Sequence, residues 1–169
     1  EKSIKAAPDY AKPMAMRAWF GTAGHLYAPM ATDERGKSRL DLARHALELE
    51  PNDSEVMAYA GYTIGFFEGD RDEGFDLVQT ATELSPSFAW AWTSSSLLSV
   101  FLGHTHQAIE RANIALRLSP RDPMAFRTYI ALSLAQFLRH DYEQMLKVAE
   151  HGIALNPGAA VLHRYTAIA

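Results

Sequence analysis

Apolar positions along this chain fall into a pattern that proline divides into near-equal lengths. Pro51, Pro86, Pro120 and Pro157 close helical stretches in ELEP, ELSP, RLSP and ALNP, at spacings of 86 − 51 = 35, 120 − 86 = 34 and 157 − 120 = 37. Two residues before each proline stand Leu49, Leu84, Leu118 and Leu155, and five before stand Ala46, Ala81, Ala115 and Gly152. Eight before are Ala43, Val78, Ala112 and Ala149, and eleven before are Leu40, Phe75, Ile109 and Leu146. These offsets follow one stripe of a 3.6-residue helix. Seven and ten before, the residues turn polar: Arg44, Gln79, Asn113 and Glu150, then Asp41, Asp76, Glu110 and Lys147. Each proline is therefore preceded by an amphipathic helix, with a small residue where a neighbouring helix approaches.

The intervening apolar stretches are less regular and supply a first helix to each unit. The pattern predicts helices at about 9–28, 38–49, 54–68, 71–84, 88–102, 105–118, 123–139, 142–155 and 159–169. Sixteen residues before the last three prolines are Asp70, His104 and Asp141, each followed three residues later by Glu73, Gln107 or Gln144. That is capping-box spacing, which fixes where a second helix starts. The first copy has Arg35 and Ser38 instead, and a swollen turn from Ala28 to Gly36 is its main irregularity. Asp122-Pro123 reads as an N-cap followed by proline at the first helical position.

The expected organisation is one all-α domain of four helix-turn-helix repeats, at about 9–53, 54–88, 89–122 and 123–159. Partial repeats flank them at 1–8 and 160–169, where Val161, Leu162, Tyr165 and Ile168 form a stripe with no second helix to follow. The expectation is a piece of a longer protein whose array continues at both ends.

Composition narrows the function classes. With 48% hydrophobic and 21% charged residues the chain of 169 has the balance of a globular domain. A net charge of −4 with no basic stripe argues against nucleic acid or an acidic membrane face as partner. Absence of cysteine removes disulfides and thiolate metal sites and fits a reducing compartment, so a cytoplasmic location is expected. No apolar run reaches the roughly 18 residues of a membrane span, and EKSIKAAPDYAKP lacks the layout of a signal peptide.

The unit from Ala89 to Asp122 resembles a tetratricopeptide (TPR) repeat. It places Trp92 early in the first helix, Ser96 at a close-packing position, Gly103 at the turn, Ala108 and Ala115 in the second helix and Pro120 at the end. The second unit matches with Gly61, Gly69-Asp70, Ala81 and Pro86, whereas Arg39 and Met145 stand where the pattern has a small residue. The resemblance implies a right-handed α-α superhelix and a non-enzymatic protein-interaction role. More narrowly, RLSPRDPMAF and ELEPNDSEV resemble TPR arrays attached to bacterial adenylate/guanylate cyclases and winged-helix regulators. That implies a regulatory or docking region of a larger signalling protein, or else a spacer or self-association arm.

The resemblance further implies that stacked first helices line a concave peptide groove. In register its candidates are Trp19, with Lys12 and Ala15; Glu55 and Tyr62, with Ala58; Trp90, Thr93 and Leu97; and Met124 and Arg127, with Ala131. Trp90 is the expected anchor and Trp92 the core member of the pair. A carboxylate clamp would need basic or amide side chains where Ala15, Ala58 and Thr93 stand, so chaperone-tail binding is disfavoured. His104 and His106 diverge at a helix start with no third ligand near in sequence, and Gly21-Thr22-Ala23-Gly24 lacks the lysine of a phosphate loop. No metal, cofactor or catalytic constellation is therefore expected.

Overall fold

The computed structural model describes residues 10–25, 34–67 and 71–168, without the side chains of 21–25 and 34–38. The described residues form α1 (Ala11–His25), α2 (Glu34–Leu49), α3 (Ser54–Phe67), α4 (Arg71–Leu84), α5 (Ala89–Phe101), α6 (Thr105–Leu118), α7 (Phe126–Leu138), α8 (Tyr142–Leu155) and α9 (Ala160–Ile168), with no strand among them. The chain divides into two compact units, Glu1–Pro86 and Ser87–Ala169.

In the first unit α3 packs on its partner α4 and also on α1 and α2. Being covered on several sides, it is apolar nearly all round, with Val56, Met57, Ala58, Ala60, Tyr62 and Ile64 buried. Ala11, Met14, Ala15, Ala46 and Val56 form one core cluster, and Ala18, Ala43, Ala60 and Ile64 another. The α3–α4 crossing is close because glycines face each other: a Cβ on Gly74 would lie 2.5 Å from the Gly61 carbonyl oxygen and 2.6 Å from the Gly65 Cα. On the second helices, Arg44 donates to both carboxylate oxygens of Glu73 at 3.0 and 2.9 Å, a bidentate pair between α2 and α4.

In the second unit α5 and α7 pack side by side, each against its own second helix, and α9 packs on α7 and α8. Here again the first helices α5 and α7 are buried round most of their circumference and the second helices on one stripe, which is why only the latter showed a clean period in the sequence. Met145 is wholly buried where the sibling repeats have Gly74 and Ala108, twelve residues before their prolines. Gly152 replaces the alanine of its siblings because Leu162 of α9 occupies the space: a Cβ there would meet Leu162 Cδ1 at 2.5 Å and Tyr129 Cβ at 2.8 Å.

The second-helix stripe is narrower than the sequence suggests. Its five- and eight-back positions are buried, but Leu84, Leu118 and Leu155, two residues before proline, are 55%, 41% and 49% exposed. They sit at the last residue of each helix, and only Leu49, which joins the Ala11–Val56 cluster, packs inward.

The expected helix starts hold in some places and shift in others. Asp141 caps α8, its Oδ1 accepting the Gln144 amide at 3.1 Å. Asp53, which the capping-box pattern did not single out, caps α3 by accepting the Glu55 and Val56 amides at 2.8 and 2.9 Å. His104 makes no side-chain capping bond to α6, and Gln107 instead lies 3.5 Å from the Ser99 hydroxyl. Asp70, residues 1–9 and Ala28–Asp33 of the swollen turn lie outside the described residues, while 34–36 of that turn are already in α2. The fourth unit's first helix opens at Phe126 rather than Pro123. Asp122 accepts the Met124 amide on Oδ1 at 2.8 Å and the Ala125 amide on its carbonyl at 3.0 Å, and i→i+3 bonds from Arg127 and Thr128 continue the tight turn.

Gly103 turns the chain at φ 80, and the equivalent position in the next repeat is His140 at φ 60. No described helix is long and apolar enough to cross a membrane.

Candidate functional site

In the first unit the candidate groove residues separate into a charged rim and buried aromatics. Lys12 donates to Glu55 Oε1 at 2.9 Å and lies 4.0 Å from Asp53, so the start of α1 is tied to the start of α3. The hydrogen bond to Glu55 is the main cause that raises the Lys12 pKa, opposed by desolvation. Trp19 is 5% exposed, with Tyr59 5.2 Å from its ring centroid, and Tyr62 is wholly buried, stacked on Phe66 at 5.8 Å. Both sit beneath the first-helix surface, and Lys12 and Glu55 are the candidates in this unit that keep partial exposure.

In the second unit α5 and α7 bring Trp90 and Arg127 together. The Arg127 guanidinium carbon lies 6.0 Å from the Trp90 ring centroid and 5.4 Å from that of Phe126, so a cation is held against two aromatic rings. Arg127 is 4% exposed, whereas Trp90 is half-buried, as is Trp92, which the sequence placed in the core. Thr93, 5% exposed, shares a 2.8 Å hydrogen bond with Thr128 across the two first helices. Leu97 is buried at 3% exposure, and Met124 stays partly exposed at the start of the α7 turn. Of the candidates in this unit, Trp90 and Met124 keep partial exposure, whereas Thr93, Leu97 and Arg127 are buried.

A second buried cation escaped the sequence reading. Arg111 of α6 is 7% exposed and donates to the hydroxyls of Ser95 and Ser99 of α5, the latter at 3.4 Å. Burial lowers its pKa, an effect the Glu110 carboxylate opposes. Ser96 donates to the Ala108 carbonyl at 2.7 Å, so the serine run in TSSSLLS is the polar seam between α5 and α6. The signal was present: nine residues before the prolines stand Leu42, Leu77, Arg111 and Val148, an apolar column broken once.

The histidines flagged at the α6 start take separate roles. His106 Nδ1 meets Arg139 Nη1 at 2.9 Å, and among the described residues no group of three His, Asp or Glu is placed to hold a metal. Between α6, α7 and α8 a cleft of about 310 Å³ is lined by Leu116, Pro120, Ala125, Tyr129, His151, Ala154 and Leu155.

Known proteins of similar sequence and structure place this architecture. No protein-family model matches the chain. It is 28% identical over 159 residues to Superkiller complex protein 3 of Mus musculus, a match that covers 90% of this chain and 10% of that protein. The chain thus spans about a tenth of that relative's length. Among solved structures, a thermophilic TPR protein of Thermus thermophilus superposes with a TM-score of 0.68 at 18% identity, over 87% of this chain and 77% of that one. MamA 41-end from Desulfovibrio magneticus RS-1 gives 0.61 at 17% identity, over 79% and 73%. With its paired helices, its near-34-residue period and these neighbours, the chain has the tetratricopeptide-repeat fold.

Proposed function

We propose that this chain is a non-catalytic protein-interaction scaffold that receives a peptide or protein segment on its first-helix face. The observation that carries the reading is Trp90, half-buried on α5 and braced by Arg127 of α7. A packed aromatic with a guanidinium beneath it has the make-up of a binding hot spot, where rigid anchors in desolvated surroundings carry most of the affinity. The test is a fluorescence titration of the full chain with a peptide selected against it from a displayed random library. Trp90→Ala is expected to weaken binding at least tenfold, with helical circular dichroism unchanged; binding as tight as wild type sinks the groove reading.

A second reading is self-association, favoured by Ile168 of α9, which is 57% exposed. It predicts a concentration-dependent dimer in sedimentation, lost in Ile168→Glu, and a monomer at all concentrations would exclude it. The setting we propose for either role is a docking region of a cytoplasmic, multidomain bacterial signalling protein. Its support is the sequence resemblance to cyclase-linked and regulator-linked arrays.

A further inference from the structure

The second helices α6 and α8 each pack on α7 but not on one another, so a gap runs between them. In the first unit the corresponding gap between α2 and α4 is bridged by the bidentate Arg44–Glu73 pair. In register with those two residues, seven before Pro120 and thirteen before Pro157, stand the uncharged Asn113 and Gln144. The proline end of the gap has also lost its cover. Three residues before the prolines are Glu48, Glu83 and Arg117, all long and charged, and then Ala154. What remains is the cleft of about 310 Å³, with Leu116 of α6 on one wall, Ala154 and Leu155 of α8 on the other and Tyr129 of α7 between them. Leu155 is 49% exposed at its edge.

The exposed stripes on either side of this cleft are complementary to each other. On α6 the stripe reads His106, Glu110, Asn113 and Arg117, and on α8 it reads Glu143, Lys147, Glu150 and Ala154, every one of them exposed. Counted back from Pro120 and Pro157, the two sets stand at the same offsets of fourteen, ten, seven and three. Glu110 is thus level with Lys147, and His106, which meets Arg139, is level with Glu143. Arg117 is level with the short Ala154 and four residues from the level of Glu150, about 6 Å of helix rise that an arginine side chain spans. Within one chain these stripes are held apart on separate helices; Glu143 and Lys147 pair along α8 at 2.6 Å, and neither Arg117 nor Glu150 has an ion-pair partner among the described residues. Short turns through α7 leave α6 and α8 running in the same direction. A twofold axis laid along the cleft therefore sets α6 of one copy against α8 of another without changing level.

From this complementarity we infer that the cleft is the seat of a second copy of the chain, with Arg117 of each copy against Glu150 of the other, Glu110 against Lys147, and Leu155 against the Leu116 wall. Every contact forms twice, and Ala154 leaves the space that Arg117 of the second copy enters. Charge of opposite sign at each level selects the partner and its register. The contact is separate from the α9 end and from the Trp90 face, and the pair presents that face twice. A ligand carrying two binding segments then gains from effective concentration at the second site.

The test is sedimentation equilibrium of the full chain over a range of concentrations, which is expected to show a monomer–dimer equilibrium that weakens in high salt. Arg117→Glu and Glu150→Arg, both at exposed positions, are each expected to weaken the dimer about tenfold or more, and the two together to restore it. Ala154→Arg, which puts back the side chain of the preceding repeat, is expected to break it as well. Circular dichroism of each variant separates lost pairing from lost folding. A double variant no tighter than the single ones, or a dimer indifferent to Ala154→Arg, overturns the cleft contact. A dimer lost in Ile168→Glu but not in Arg117→Glu overturns it too and gives self-association to the α9 end. A monomer at every concentration overturns both forms of self-association and leaves the peptide groove to its own titration.

Discussion

The α3–α4 crossing gives the sharpest test of how this fold is held together. Replacing Gly74 by alanine puts a Cβ 2.5 Å from the Gly61 oxygen and 2.6 Å from the Gly65 Cα and nitrogen. Carbon contacts are most favourable at about 3.5 Å and beyond, so the helices must part by roughly 1 Å. All three obstacles are backbone atoms, and no rotamer change relieves them. Overpacking of this kind costs about 1–3 kcal/mol, while glycine to alanine inside a helix returns about 1 kcal/mol. With all three obstacles fixed in the backbone the cost falls at the upper end of the overpacking range, about 2–3 kcal/mol, so the net expectation is a loss of about 1–2 kcal/mol, read as a lower urea midpoint at unchanged slope and a fall in Tm of about 2–8 °C. Gly152→Ala is the comparison. One of its obstacles is Leu162 Cδ1, the far end of a side chain that can turn aside, so its loss is expected to be smaller and confined to the docking of α9. A Gly74→Ala protein as stable as wild type would refute the glycine contact as the reason for the close crossing.

Three further outcomes follow from the geometry. Burial pushes the Tyr165 phenol up to about 12, a shift that the Arg164 charge opposes. Against an unfolded pKa of about 10, the stability this group supplies is complete below pH ~10 and lost as pH rises from ~10 to ~12; a late phenolate absorbance step should vanish in Tyr165→Phe, and an ordinary Tyr165 titration would contradict the burial. Asp53→Ala and Asp141→Ala should each lower stability by about 1 kcal/mol through lost caps, whereas His104→Asp should raise it by about 0.5–1 kcal/mol in denaturant titrations; no gain would show that Asp cannot cap α6. For the half-exposed Arg44–Glu73 pair, a double-mutant cycle should give about 0.5–1 kcal/mol, shrinking in high salt. A coupling of zero would reduce the pair to an incidental contact.

The candidate site was legible only in part, and the particular residues show why. Register along the prolines nominated Trp90 and Arg127 for one face, and the structure does bring them together, 6.0 Å apart. Register could not say that Arg127, Thr93 and Leu97 would be floor while Trp90 stays partly open, nor that Tyr62 would be wholly buried. Exposure depends on what neighbouring helices cover, and that is absent from any single helix's period. Lys12 and Glu55, placed on the face separately, turned out to form an ion pair because the starts of α1 and α3 lie side by side.

By itself the sequence determined the helical repeat, its period and most helix limits, because amphipathic spacing, capping acids and terminal prolines act within a few residues of chain. The tertiary structure alone decided which apolar positions are core. The leucine two residues before each proline has the same local pattern in every repeat, yet Leu49 packs inward while Leu84, Leu118 and Leu155 remain about half exposed. It likewise decided that Gly61, Gly65 and Gly74 meet at one crossing, and that Arg111 is buried among serines. Those outcomes depend on the distance between helices far apart in the chain, a quantity that local periodicity does not encode.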